Sequence, residues 1–242
     1  MMEEPKKQQT NQRDYDKDPI VIEDYNPLFL FLLMMSLIPI MILIYIYNPG
    51  ATSEDSLFRN IFIIIPITMY PFINAYFKSK GKRKVILTEN SIKFMHENII
   101  IEEIQVAKIT DIKKTSSSIY HKSQNSKWYQ SMGLFIIFPL IVITQKAYYL
   151  LLLFPMVAIF LIVLKYVFHK LKDKSYQYRF FDAILVYSKE NFINILPTTN
   201  KEYLEVKNYF LIKGLGDIQN KKTYLELIGA YGFEDINLQG EK

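Results

Sequence analysis

The 242-residue chain carries a formal charge of +5 and a mean hydropathy of only +0.06, an average that hides apolar residues gathered in long blocks. With no cysteine, disulfides, a thiol nucleophile and a Cys-ligated zinc are excluded. The three histidines, His96, His121 and His169, are scattered without metal-ligand spacing.

Residues 1–26 are mostly polar and hold more acids than bases. A cleavable signal peptide would start with a short basic stretch and a 7–15-residue apolar core, so the first apolar block reads as retained. That block, 28–47 (LFLFLLMMSLIPIMILIYIY), has no charge. At 1.5 Å per helical residue it matches the ~30 Å hydrocarbon core of a bilayer, and it lacks the polar face of an amphipathic core helix. The link 48–56 contains Pro-Gly and acids but no Lys or Arg.

A second apolar stretch follows at 57–77. Arg59 lies near its start, where it can snorkel, and Pro66 and Pro71 predict kinks. Next comes a basic run, Lys78, Lys80, Lys82, Arg83 and Lys84. Short β-rich runs succeed it: KVILT at 84–88, IKFMH at 92–96 and a third from Ile99 to Glu103, separated by Glu89-Asn90-Ser91 and Glu97-Asn98. They read as successive hairpins. Apolar residues continue through Ile104, Val106, Ile109 and Ile112, and a polar linker leads to Lys127.

From Trp128 to Phe168 the chain is again largely apolar, broken at Gln145-Lys146. One helix of that length would be about twice the bilayer core, so two arms are expected, 128–144 and 147–168, with Lys165 near enough the far end to snorkel. The competing reading lays 128–144 in the interface. Lys and Arg accumulate on cytoplasmic flanks, and with four spans every basic flank falls on one side, leaving only Lys146 outside. The charge pattern therefore favours four spans with both termini cytoplasmic.

Beyond the second hairpin, 176–181 alternates partly, and DAILVY at 182–187 and FINIL at 192–196 read as strands. Pro197 ends the last of them. Thr199-x-x-Glu202 has the capping-box pattern, and Tyr203, Val206 and Phe210 give the following helix one apolar face. Gly214 and Gly216 are expected terminators, and a last short helix is expected over 221–228.

The LTENSIKF phrase, the apolar-spaced IIIEEIQVAKITDIKK and the ending FINILPTTNKEYLEVKNYF resemble the bacterial pleckstrin-homology-like domains, including the YcxB-like group of small membrane proteins. The resemblance implies a strongly bent antiparallel sheet closed at one end by a C-terminal helix. The expected fold class is thus an α+β membrane protein: four transmembrane helices in two hairpins plus a small antiparallel β domain on the cytoplasmic side. The expected divisions are a polar tail (1–26), hairpin 1 (27–77), the first half of the domain (78–127), hairpin 2 (128–169), its second half (170–216) and a tail (217–242). The expected location is a bacterial inner membrane, as a multi-pass protein.

No catalytic or metal constellation is found: there is no Gly-rich phosphate loop, no Gly-x-Ser-x-Gly elbow and no His-Glu-x-x-His helix. Glu102-Glu103 would point to opposite faces of a strand. No cofactor is implied, and the basic rims flanking the apolar blocks account for the charge without nucleic acid. Lys78, Lys80, Lys82, Arg83 and Lys84 form the candidate site for an anionic lipid surface. The expected partners are the lipid bilayer and a membrane protein. The function read from the sequence is a non-enzymatic adaptor or regulator; the alternative is a component of a membrane transport or channel assembly, favoured by the kinked second apolar stretch.

Overall fold

The structure, a computed structural model, describes residues 13–47, 69–71, 73, 74, 76–116, 140, 143, 144, 151–189 and 191–224. Eight strands are described: β1 (Ile20–Glu23), β2 (Arg83–Leu87), β3 (Ser91–His96), β4 (Ile99–Gln105), β5 (Asp111–Thr115), β6 (Ala183–Tyr187), β7 (Phe192–Ile195) and β8 (Thr223–Tyr224). Three α-helices accompany them: α1 (Asn26–Tyr47), α2 (Leu153–Lys172) and α3 (Asn200–Ile212).

The strands form two four-stranded sheets, ordered β1-β2-β3-β4 and β7-β6-β5-β8. The first is antiparallel throughout, and in the second only the short β5–β8 pair is parallel. Period-two alternation sets the inner faces: Ile20 and Ile22 of β1 and Val85 and Leu87 of β2 point in, while Val21 and Glu23 point out. Opposite them, Ile184 and Val186 of β6 and Ile193 and Ile195 of β7 close the core, and Val206, Tyr209 and Phe210 of α3 fill it. Tyr15, from the polar N-terminal stretch, packs edge-on against Tyr209 at 5.0 Å between centroids.

Helix α3 begins where the sequence predicts. The Thr199 side chain accepts from the Glu202 backbone, and the Glu202 side chain answers on the Thr199 backbone. It ends before Gly214, whose φ of +70° is costly for any residue with a Cβ. Strand β6 is buried on both faces, because Ala183 also packs with Phe29 of α1, Leu196, and Leu164 and Phe168 of α2.

Among the described residues no helix is long and apolar enough to cross a membrane. This overturns the expected four transmembrane helices in two hairpins, and with them the multi-pass placement in a bacterial inner membrane with cytoplasmic termini. Helix α1 packs Phe29 against Ala183 of β6 and Phe168 of α2. Helix α2 carries Lys165, His169, Lys170 and Lys172 in its C-terminal half. Lys165 does not snorkel to an interface: it is buried in an ion pair with Asp182. Most of 57–77 and 128–144, and Lys146, lie outside the described residues.

Three smaller readings also change. Residues 176–181 form no strand, β1 arises inside the stretch read as a tail, and the expected last helix gives way to a 3-10 turn (Ile218–Asn220) and β8, with 225–228 outside the described residues.

Candidate functional site

The basic run predicted from the sequence is divided by the fold. Residues 76–79 form a helical turn that feeds β2 through Gly81 at φ +71°. Lys78, Lys80 and Lys82 are exposed on this turn and its exit, beside Phe77, which is 63% exposed. Lys82 pairs with Glu97 at 2.7 Å. Lys78 and Lys80 make no ion pair with the described residues.

Arg83 turns inward instead. Its Nε and Nη2 donate to Asp24 Oδ2 at 2.7 and 2.6 Å, and its guanidinium lies 4.8 Å from the Phe94 ring centre. Lys84 lies on the opposite face of β2, paired across the ladder with Glu23 and Met95. The exposed site is therefore Lys78, Lys80 and Lys82, with Arg83 a half-buried strut and Lys84 on the outer sheet face.

A second polar constellation, which the sequence does not announce, lies where α2 meets the β-domain. Lys165 and His169 stand one turn apart on the inward face of α2, and both reach Asp182 at the entrance to β6. Asp182 and His169 are fully buried and Lys165 nearly so. Lys165 Nζ also donates to Ser116 O at 3.0 Å. The Tyr176 hydroxyl donates to Asp182 Oδ2 at 3.2 Å, and its ring stacks on the His169 imidazole with centroids 4.2 Å apart.

Protons in this cluster are constrained by its acceptors. His169 Nδ1 lies 3.0 Å from the Thr198 carbonyl oxygen, which can only accept, so Nδ1 carries a proton. Nε2 sits 2.8 Å from Asp182 Oδ2, close enough for an ion pair but out of line for a hydrogen bond. Burial, then the charge of Asp182, pushes the Tyr176 hydroxyl well above the usual phenol range and keeps it a donor.

The same joint reaches the start of α3. Asp173 Oδ2 accepts from the Asn200 backbone N–H at 3.0 Å. The Thr198 hydroxyl and N–H both donate to Glu202. Lysine, aspartate, histidine and tyrosine in contact suggest acid–base chemistry by their types. Buried together, they form a joint between α2, β6 and α3.

A cavity of about 220 Å³ lies between β1, the start of α1, the 76–79 turn and the end of α2. Its rim includes Lys80, which joins it to the exposed basic site. Within it Lys172 Nζ donates to the Tyr25 hydroxyl at 2.6 Å, and that hydroxyl donates in turn to Glu23. Burial, reinforced by Glu23, pushes the Tyr25 hydroxyl far above its usual range. Among the described residues no group of His, Cys, Asp and Glu could hold a metal ion.

Sequence reasoning located the basic run and missed the joint. The one available signal was an i, i+4 pair of basic residues, Lys165 and His169, on a helix otherwise apolar on that face. Comparison with family models, with curated proteins and with solved structures gave no match to this chain.

Proposed function

We propose that the chain is a non-enzymatic binding protein that docks on an anionic lipid surface through Lys78, Lys80 and Lys82, with a β-domain of the pleckstrin-homology-like type its sequence resembles. The observation that carries this reading is the pair Lys78 and Lys80, exposed beside Phe77 and without an acidic partner among the described residues. Elsewhere on the domain, cations are commonly matched: Lys93 faces Glu103, Lys207 faces Asp217 and Lys213 faces Glu89. Unmatched lysines beside an apolar side chain combine electrostatic attraction with interfacial insertion.

Each lysine at an anionic surface contributes about 1 kcal/mol, a term that salt weakens. Neutralising Lys78→Gln and Lys80→Gln together is expected to weaken binding to phosphatidylglycerol vesicles about 30-fold. Co-sedimentation of the full chain at two salt concentrations measures this. Equal binding by wild type and the double variant at low salt would refute the rim as the docking site.

A second reading, docking of a protein on β4, the last strand of its sheet among the described residues, is favoured by three consecutive exposed isoleucines, Ile99, Ile100 and Ile101. Such an edge can receive an added strand. Ile100→Lys would abolish that interaction in a pull-down while sparing vesicle binding.

A further inference from the structure

The cavity beside the basic rim holds more donor capacity than its own acceptors use. Of Arg83, Nε and Nη2 are committed to Asp24, leaving Nη1. Lys172 donates to Tyr25 and stands at the limit of ion pairing with Glu23, 4.0 Å away, and keeps further N–H groups. Lys80 has no side-chain partner among the described residues. Three cations thus share one cavity with two carboxylates, Glu23 and Asp24, that are already engaged. Tyr25, Tyr76 and Phe168 wall the remainder. At about 220 Å³ the space falls below that of drug-sized sites, so it suits a small anion with a short organic body.

We propose that this cavity binds a phosphate ester, the group shared by the headgroup of an anionic phospholipid and by soluble phosphate monoesters. The oxygens face the spare donors of Lys80, Arg83 and Lys172, and the organic part lies against the aromatic walls. Three separate cationic donors suit the several oxygens of a phosphate ester better than the two of a carboxylate. For its lipid source the proposal rests on the docking reading above, since Lys80 belongs to both the rim and the cavity.

The test uses the full chain with three probes: glycerol 3-phosphate in solution, phosphatidylglycerol vesicles, and galactolipid vesicles made equally anionic with fatty acid, which carry no phosphate. Saturable binding of glycerol 3-phosphate is expected by calorimetry. Binding to the phosphatidylglycerol vesicles should be about ten-fold tighter than to the phosphate-free ones, the size of one lost charge-assisted contact.

Lys172→Gln should erase both effects and Lys172→Arg should restore them, which separates loss of a ligand contact from loss of fold. If phosphate-free vesicles bind as tightly as phosphatidylglycerol and glycerol 3-phosphate does not bind, the cavity proposal is overturned while rim docking stands. Glycerol 3-phosphate binding without vesicle binding would sustain the cavity with a soluble ligand and overturn the rim. Failure of all three probes removes both.

Discussion

The β-domain core and the joint beneath α2 solve the same problem with opposite materials. The core is aliphatic and aromatic: Ile20, Leu87, Ile92, Ile184, Val206 and Phe210 are almost completely removed from water, and burial of each contributes about 1.5–3 kcal/mol. The joint, only a strand's width away, buries a lysine, a carboxylate and an imidazole. An apolar core is forgiving, because a smaller side chain leaves a cavity but no charge. A buried ion cluster is not, since each member is tolerable only while the others are present. Helix α2 is thereby held in one rotation and one depth, since Lys165 and His169 reach Asp182 together in only one setting of the helix.

The largest expected effect breaks the joint. Asp182→Ala leaves Lys165 and His169 buried without a counter-charge and should cost about 3–5 kcal/mol in urea unfolding. The joint Lys165→Met, Asp182→Leu variant removes both charges and should fall well short of that loss. Equal destabilisation by the two variants would show that the site is held by packing alone, like the core. For comparison, Ile184→Val, two residues further along in the aliphatic core, should cost about 1 kcal/mol.

Next in size is the cap that connects joint and core. Thr199→Ala removes the side-chain half of the capping box and should cost about 1 kcal/mol. Because Thr198 O also receives the His169 ring, the effect should exceed that of an isolated cap, which a double-mutant cycle with His169→Phe would detect as a non-additive term. Strict additivity would separate the two structures.

These two regions also differ in how far the sequence reveals them. Alternation in 84–88, 92–96 and 192–196 betrays strands that bury one face, and β2, β3 and β7 lie there. The Thr199-x-x-Glu202 spacing and the Tyr203, Val206, Phe210 stripe mark α3 because local chemistry alone decides both. β1 escaped notice because four residues amid acids carry too short a period, and only its pairing with β2 makes it a strand. The joint was hidden for another reason. Lys165, His169 and Asp182 acquire meaning from a contact between a helix and a strand that no local pattern encodes, and an isolated Lys in an apolar run reads equally well as an interfacial residue. The long apolar blocks misled in the same way: uniform hydrophobicity suits both a bilayer and a helix packed on protein, and Phe29, Leu164 and Phe168 pack on β6. Of the basic site, the sequence located the five residues but not the division among them, which depends on which side of β2 each one faces.

A smaller effect probes the core from its alkaline side. The Tyr209 hydroxyl donates to Thr88 O at 2.8 Å, and burial, then the nearby Glu89, raises its pKa above the ordinary 10.0. A raised acid favours its neutral form in the folded state, so its contribution is complete below about pH 10 and is lost as pH rises beyond it. Tyr209→Phe should cost about 1 kcal/mol at neutral pH and flatten the alkaline decline. Tyr176, raised by burial and Asp182, adds to the same decline from within the joint, so the decline should shrink without vanishing. An unchanged slope in Tyr209→Phe would place the alkaline sensitivity in the other buried tyrosines, Tyr176 and Tyr25 among them.

The smallest expected effect lies at the outer edge of the joint, where its charges meet water. Asp173 accepts from the Ser175 hydroxyl and then from the Asn200 N–H, and these bonds lower its pKa from 3.8. Asp217 is lowered by the Gln219 N–H first, with Lys207 assisting. A depressed carboxylate contributes stability that is present above its ordinary value and lost as pH falls through the folded-state value. Thermal midpoints should therefore hold steady down to about pH 4 and then decline. Both groups are partly exposed, so solvent screens much of the gain. Asp173→Asn keeps an acceptor oxygen but no charge, and should leave a shallower acid slope with a midpoint near wild type at pH 7. If instead the acid slope is unchanged, the acid loss does not pass through Asp173, and Asp217→Asn is the variant that should flatten it.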